Sequence, residues 1–159
     1  TGSGTAPQLN GILNDGSIQT VAYSTATYDN RADAFYRGVV VIATANQGMP
    51  SGIVINTINW EPIRTLKTDG SGEYIMGPPT IAGPTTLWGV PLVVTNNITS
   101  GTGLVGAFQH ARLYMREDSA IRTGWANDDF LRNMVRVLAE MRANLAVRRP
   151  TAFAQITGL

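Results

Sequence analysis

The sequence predicts a mixed α+β fold, and three observations carry that expectation. The segment RADAFYRGVVVIATA places Ala34, Phe35, Val39 and Ile42 on one helical stripe behind a capping Asn30 or Asp29. Short apolar runs such as GIVI and VPLVV are bounded by Gly, Pro and Asn, as buried strands are. Between Leu131 and Val147 apolar residues recur with the period of a strand, although the same segment also carries a helical stripe.

Taken in order, residues 1–30 are rich in Gly, Ser, Thr and Asn and read as turns with one or two short strands. A helix is expected from Arg31 to Ala45, a buried strand over Ile53–Ile55, then a helix capped by Asn56 and running through Leu66. TDGSGEY is a turn by composition, and GPPTIAGPTTLWG, with three prolines and three glycines, is a loop. VPLVVTNN reads as a strand, and GTGLVGAF as a turn that continues into one. ARLYMRED and SAIRTGW look like a strand pair. In 130–147, Leu131, Val135, Val137, Ala139, Met141, Leu145 and Val147 share one side at period two. At period 3.6 the stripe is Phe130, Met134, Leu138, Met141 and Leu145, and pattern alone leaves both readings open. Pro150 ends the segment, and TAFAQI is a last short strand.

Composition narrows the chemistry. The chain has 159 residues and no cysteine, which excludes disulfides, thiolate metal sites and cysteine nucleophiles. No apolar run approaches the length of a membrane span. The N-terminus lacks a signal-peptide pattern and a methionine, so the chain reads as a fragment or a processed product. Only 14% of residues are charged. Such a surface suits contact with other protein, and equally suits a loop-rich domain with polar, uncharged loops. Residues 1–111 hold four basic and six acidic side chains, whereas 112–159 hold eight arginines and five acids. Arginine interleaved with carboxylate, as in Arg116-Glu117-Asp118, suits ion pairs between proteins, the plainer reading being a solvated face.

Gly101–Gly106, GTGLVG, fits the letters of the dinucleotide fingerprint G-x-G-x-x-G. That motif needs a strand before it, a helix opening within it and an acid about 20 residues on. The next residues are AFQHARLYMRED, a poor helix opening, and Glu117 and Asp118 come too early. Gly101 and Gly103 suit a hairpin turn, and no cofactor is expected. TGSGT and DGSGE lack the Lys-Ser/Thr of a phosphate loop. His110 is the only histidine, which argues against a metal site or a serine triad. Asp128 and Asp129 fit a turn, and Trp60, Trp88 and Trp125 fit packing anchors.

The order of GSGTAPQLNGILN, RADAF, SGIVINTINWEPIRTLK, GEYIMGPP, LWGVPLVVTN, LVGAF and DDFLRNMVRVLAEMRANLAVRRPTAF resembles the Hong Kong 97-type major capsid protein of tailed phages. The resemblance covers nearly the whole chain. It implies an axial-domain sheet flanked by two helices plus a long peripheral-domain strand, with the family's spine helix and extended loop absent. Residues 1–115 would form the axial domain with its entry segment, 116–149 part of the peripheral domain, and 150–159 a strand returning to the axial domain. The ambiguous segment would be a strand, one face packed on the core. The other would offer Arg132, Arg136, Glu140, Arg142 and Arg148 to neighbouring subunits.

The same resemblance implies a shell protein of a phage or prophage virion, assembled in the host bacterial cytoplasm. It would self-associate into pentamers and hexamers with threefold contacts, meet packaged DNA only through non-specific proximity, and need no membrane. Some relatives form a lysine–asparagine isopeptide bond assisted by a glutamate; Asn133 falls at the asparagine and Glu140 at the glutamate. Alternatives are an encapsulin-type compartment shell and, on the fingerprint alone, a nucleotide-binding enzyme.

Overall fold

A computed structural model describes residues 2–5, 8–80, 83 and 85–159. The parts of TGSGTAPQ and GPPTIAGPTTLWG that fall on 1, 6, 7, 81, 82 and 84 lie outside the described residues. The chain forms β1 (Gln19–Ala22), α1 (Arg31–Thr44), β2 (Gly52–Ile55), α2 (Thr57–Arg64), β3 (Thr86–Leu87), β4 (Val90–Val94), β5 (Thr102–Gly106), β6 (Ala111–Gly124), β7 (Arg136–Val147) and β8 (Phe153–Thr157). Single 3-10 turns precede β1, β6 and β8.

Both helices start where their caps predict. The Asn30 side chain accepts from the Asp33 amide, and that of Asn56 from the Ile58 amide, each satisfying a donor that the first turn leaves open. α1 ends one residue before the expected Ala45 and α2 two before Leu66. Asn56 is buried and its Nδ2 donates to the Ile98 carbonyl at 2.6 Å, while Asn59 Oδ1 accepts from the Gly101 amide at 2.8 Å. The cap of α2 and an asparagine in its first turn thus fix the 98–101 connection into β5.

The main sheet has the order β1-β8-β5-β2-β4-β3. β8 runs parallel to β1 and antiparallel to β5; β2 runs antiparallel to β5 and parallel to β4. Alternation along the strands splits the core in two. Ile53, Ile55, Val105, Ala154 and Ile156 face α1, whose Phe35 and Ile42 are fully buried against them. Leu104, Phe153 and Val54 face the other way, onto Ile98, Ala107, Ile12 and Leu13. Each fully buried Ile, Val or Phe contributes about 1.5–3 kcal/mol relative to exposure.

The structure corrects four expectations. β3 lies within the segment read as a loop. ARLYMRED and SAIRTGW are one strand, β6, because register shifts after Met115 and Glu117 absorb what the sequence suggests is a turn. The strand expected from Leu131 begins only at Arg136; residues 127–133 form a turn. For 136–147 the strand reading holds, but its apolar face packs on the core only near Val147.

Candidate functional site

β6 and β7 form a separate two-stranded ribbon. Residues directly opposite in an antiparallel pair share a face. One face therefore collects Ala111, Leu113, Met115, Ile121 and Thr123 from β6, and Val137, Ala139, Ala143, Leu145 and Val147 from β7. It is apolar but for Thr123. Ala111 and Val147 pack under the main sheet, and Leu145 lines an open groove of about 280 Å³ with Ile12, Leu13, Val54 and Leu104. Beyond that root the face is bare: Ile121 is 75% exposed and Val137 67%.

The opposite face is charged. Glu117 stands between Arg142 (3.4 Å) and Arg122 (3.6 Å), and Arg122 also reaches Glu140 at 3.6 Å. This chain of four groups bridges the two strands where the register shifts. Nearer the main sheet, Arg148 Nη2 donates to the Tyr114 hydroxyl at 2.9 Å, and the Arg112 guanidinium lies 5.5 Å from the centre of the Tyr114 ring. The hydrogen bond from Arg148 is the largest effect on the Tyr114 phenol and holds it below its ordinary value; desolvation, next in size, opposes it, and the charges of Arg148 and Arg112 add to the lowering.

At the distal end Asp129 closes the turn. Its side chain is only 2% exposed, accepts from the Ala126 amide at 3.0 Å, and takes both Nε and Nη2 of Arg136. The Arg136 fork and the Ala126 amide hold its carboxyl below the usual aspartate value. Trp125 and Phe130 meet edge to face beside it, yet are 64% and 75% exposed, so Trp125 is not the core anchor the sequence suggests. Trp60 does pack against the core, and Trp88, half exposed, is tied to α1 by its Nε1 donating to the Ala32 carbonyl.

The arginines expected at subunit contacts have partners within the chain: Arg132 with Asp128 at 2.6 Å, Arg136 with Asp129, Arg142 with Glu117 and Arg148 with Tyr114. Asn133 sits in the distal turn at φ 53°, exposed, whereas Glu140 lies inside β7, paired with Arg122. Asp128 and Asp129 do sit in a turn, but sequence reasoning missed the buried clamp, and also Arg122 and Tyr114; Glu117, read as an ion-pair former, pairs with Arg122 and Arg142 within the chain. The Asp129-to-Arg136 spacing around an Asn-containing turn was the available signal for the clamp.

GTGLVG holds no helix N-terminus. Gly101 takes φ +81° at the turn, but Gly103 lies in β5, which corrects its assignment to that turn. A Cβ on Gly103 would lie 2.6 Å from Phe35, and one on Gly106 2.2 Å from Phe153. These glycines make room for aromatic rings, not for a pyrophosphate. Among the described residues no cluster of three or more His, Asp or Glu side chains could hold a metal, and no helix is long and apolar enough to cross a membrane.

A main sheet covered by helix α1, carrying a long amphipathic ribbon, is the architecture of a capsid-type shell subunit, and the sequence matches the phage capsid family over residues 1–158. The chain belongs to that family. It is 36% identical over 161 aligned positions to the major capsid protein of Enterobacteria phage HK97, covering 98% of this chain and 40% of that protein. It thus spans less than half the length of this relative. Among solved structures, the capsid of an empty GTA particle superposes with a TM-score of 0.73 at 17% identity, covering 98% of this chain and 58% of that one. A chain from Mycobacterium phage Ogopogo gives 0.67 at 15% identity, covering 97% and 56%. A virus-like particle from Pyrococcus furiosus gives 0.60 at 16% identity, covering 91% and 58%.

Proposed function

We propose that this chain is the shell-forming region of a tailed-phage or prophage major capsid protein, which self-assembles into pentamers and hexamers of a virion shell enclosing DNA. The observation that carries this reading is the 36% identity to the HK97 major capsid protein along nearly the whole chain. The alternative is an encapsulin-type compartment shell; the likeness to a virus-like particle, at 16% identity, bears on the fold alone and does not favour it. In this reading residues 1–115 with 150–159 form the axial domain and 116–149 the peripheral domain. The separation of main sheet and ribbon into two hydrogen-bonded units supports a two-part division, with the ribbon starting at Ala111, inside the 1–115 segment. The bare apolar face beyond the ribbon root supports burial against other parts of the shell, since a contiguous apolar patch in water favours association.

Arg132, Arg136 and Arg142 then act at contacts by presenting pre-oriented guanidinium groups, already paired with carboxylates, to neighbouring copies rather than bare charges. The test is negative-stain microscopy of the full gene product that contains this chain. Closed particles are expected; a monomer that persists at high concentration across salt conditions overturns the reading.

A crosslink is the finer part of the proposal. The side-chain amide of Asn133, exposed at the turn, accepts attack by a lysine amine of another subunit. The amine nitrogen bonds to the amide carbon, Glu140 takes the proton the amine gives up and returns it to the amide nitrogen, and the carbon–nitrogen bond of the side-chain amide breaks to release ammonia. Denaturing gels of mature particles should show ladders that vanish in Asn133→Asp or Glu140→Ala. A single monomer band from unaltered particles sinks this part alone.

A further inference from the structure

The root of the ribbon carries a concentration of charge that the ion pairs do not consume. Residues 110–116 and 144–149 contain four arginines and His110, and no acid. Arg112, Arg116, Arg148 and Arg149 are all exposed and make no ion pair with a carboxylate among the described residues. Arg142 differs, being neutralised by Glu117. The backbone ladder places Arg112 opposite Ala146 and Tyr114 opposite Asn144, and the Arg148 amide donates to the His110 carbonyl, so Arg112, Tyr114 and Arg148 project from one face. The other face of the ribbon root is apolar and leans on the main sheet, which fixes the basic face outward.

Tyr114 organises this face. Arg148 bonds its hydroxyl and Arg112 lies near its ring, while the residue stays 44% exposed. Two guanidinium groups are thereby held about one flat aromatic surface, with free donors left on each fork. Arginine forks match the oxygens of a phosphodiester bidentately, and an exposed ring beside them can meet a sugar or a base. An acidic peptide would satisfy the charges but offers nothing that selects the ring.

We propose that Arg112, Tyr114 and Arg148, flanked by Arg116 and Arg149, form a binding strip for the phosphodiester backbone of nucleic acid. This replaces non-specific proximity with a defined contact. It rests on the shell reading only for the source of the nucleic acid, namely the enclosed DNA.

The experiment is fluorescence anisotropy of a short labelled DNA duplex of mixed sequence, titrated with the full chain in unassembled form at several salt concentrations. Binding is expected to weaken with salt along a log–log slope of about −0.9 per phosphate neutralised, hence about −2 to −4 for this strip. Arg112→Gln with Arg148→Gln should reduce the slope by about 2 and weaken binding at least tenfold at low salt. Arg37→Gln with Lys67→Gln removes the same charge elsewhere and should leave the slope unchanged. Tyr114→Phe keeps the ring and both arginines and should weaken binding several-fold without changing the slope. No duplex binding, a salt-independent signal, or an equal loss in both double variants overturns the proposal. So does displacement of the duplex by poly-glutamate at a lower charge concentration than by unlabelled duplex, which would identify an acidic protein segment as the partner. Should the strip double variant fold poorly by its thermal melt, the wild-type slope and Tyr114→Phe decide. Microscopy on the same protein separates the two readings: salt-dependent binding without particles retains the strip and discards the shell, and particles without binding do the reverse.

Discussion

Gly106 and Phe153 show what single atoms decide in this fold. A methyl group on Gly106 would stand 2.2 Å from the Phe153 ring, closer than any relaxed contact, so Gly106→Ala should destabilise by about 1–3 kcal/mol in urea titrations. Gly124 has open space around its Cβ position, and Gly124→Ala should stay within about 0.5 kcal/mol of wild type. Sequence alone could reject the fingerprint, because no helix comes after it. It could not say why the glycines are there, since Phe35 and Phe153 lie far away in the chain and reach them only through the tertiary fold. Asp129 supplies a second test. Its folded-state pKa lies below the ordinary 3.8, so its contribution is fully present above about pH 3.8 and fades as pH falls through the folded value. Wild type should melt above Asp129→Asn at neutral pH, and the gap should close in strong acid; a gap independent of pH would refute the clamp.

Among the elements, the ribbon is the one whose surroundings the sequence misjudges. Period-two patterning correctly identifies one apolar face over 136–147, but a pattern cannot say what covers that face. It also places the strand start at Leu131, because the pull of Asp129 on Arg136, which keeps 127–133 as a turn, is a side-chain effect invisible to periodicity. The helices were legible because capping is local: Asn30 and Asn56 each act within three residues. A two-stranded ribbon is marginal on its own. Amides of β6 and β7 beyond the root should therefore exchange with deuterium far faster than those of β5 and β8 in the unassembled protein, measured by mass spectrometry of peptic fragments. Equal protection would mean that the distal ribbon is stabilised within one chain.

For the molecule as a whole, the division of labour comes from topology. One sheet, filled on both faces, provides a rigid body, and the ribbon departs from between two of its neighbouring antiparallel strands, β5 and β8. Force on the ribbon is thus delivered to the best-packed part of the fold. The resemblance among ordered motifs made this plan readable from sequence, whereas the strand order was not, since β1 and β8 pair across almost the full length of the chain.

That pairing also sets a clock. β8 lies inside the sheet, yet residues 153–157 supply it, so while they are still being synthesised β1 has no partner and β5 lacks one neighbour. The half of the core that rests on Ala154 and Ile156 stays open until then. Closure of a parallel pair with so long an intervening chain is slow, and the exposed edges are prone to mispairing meanwhile. A growing chain that has not yet reached residue 157 therefore cannot close its main sheet.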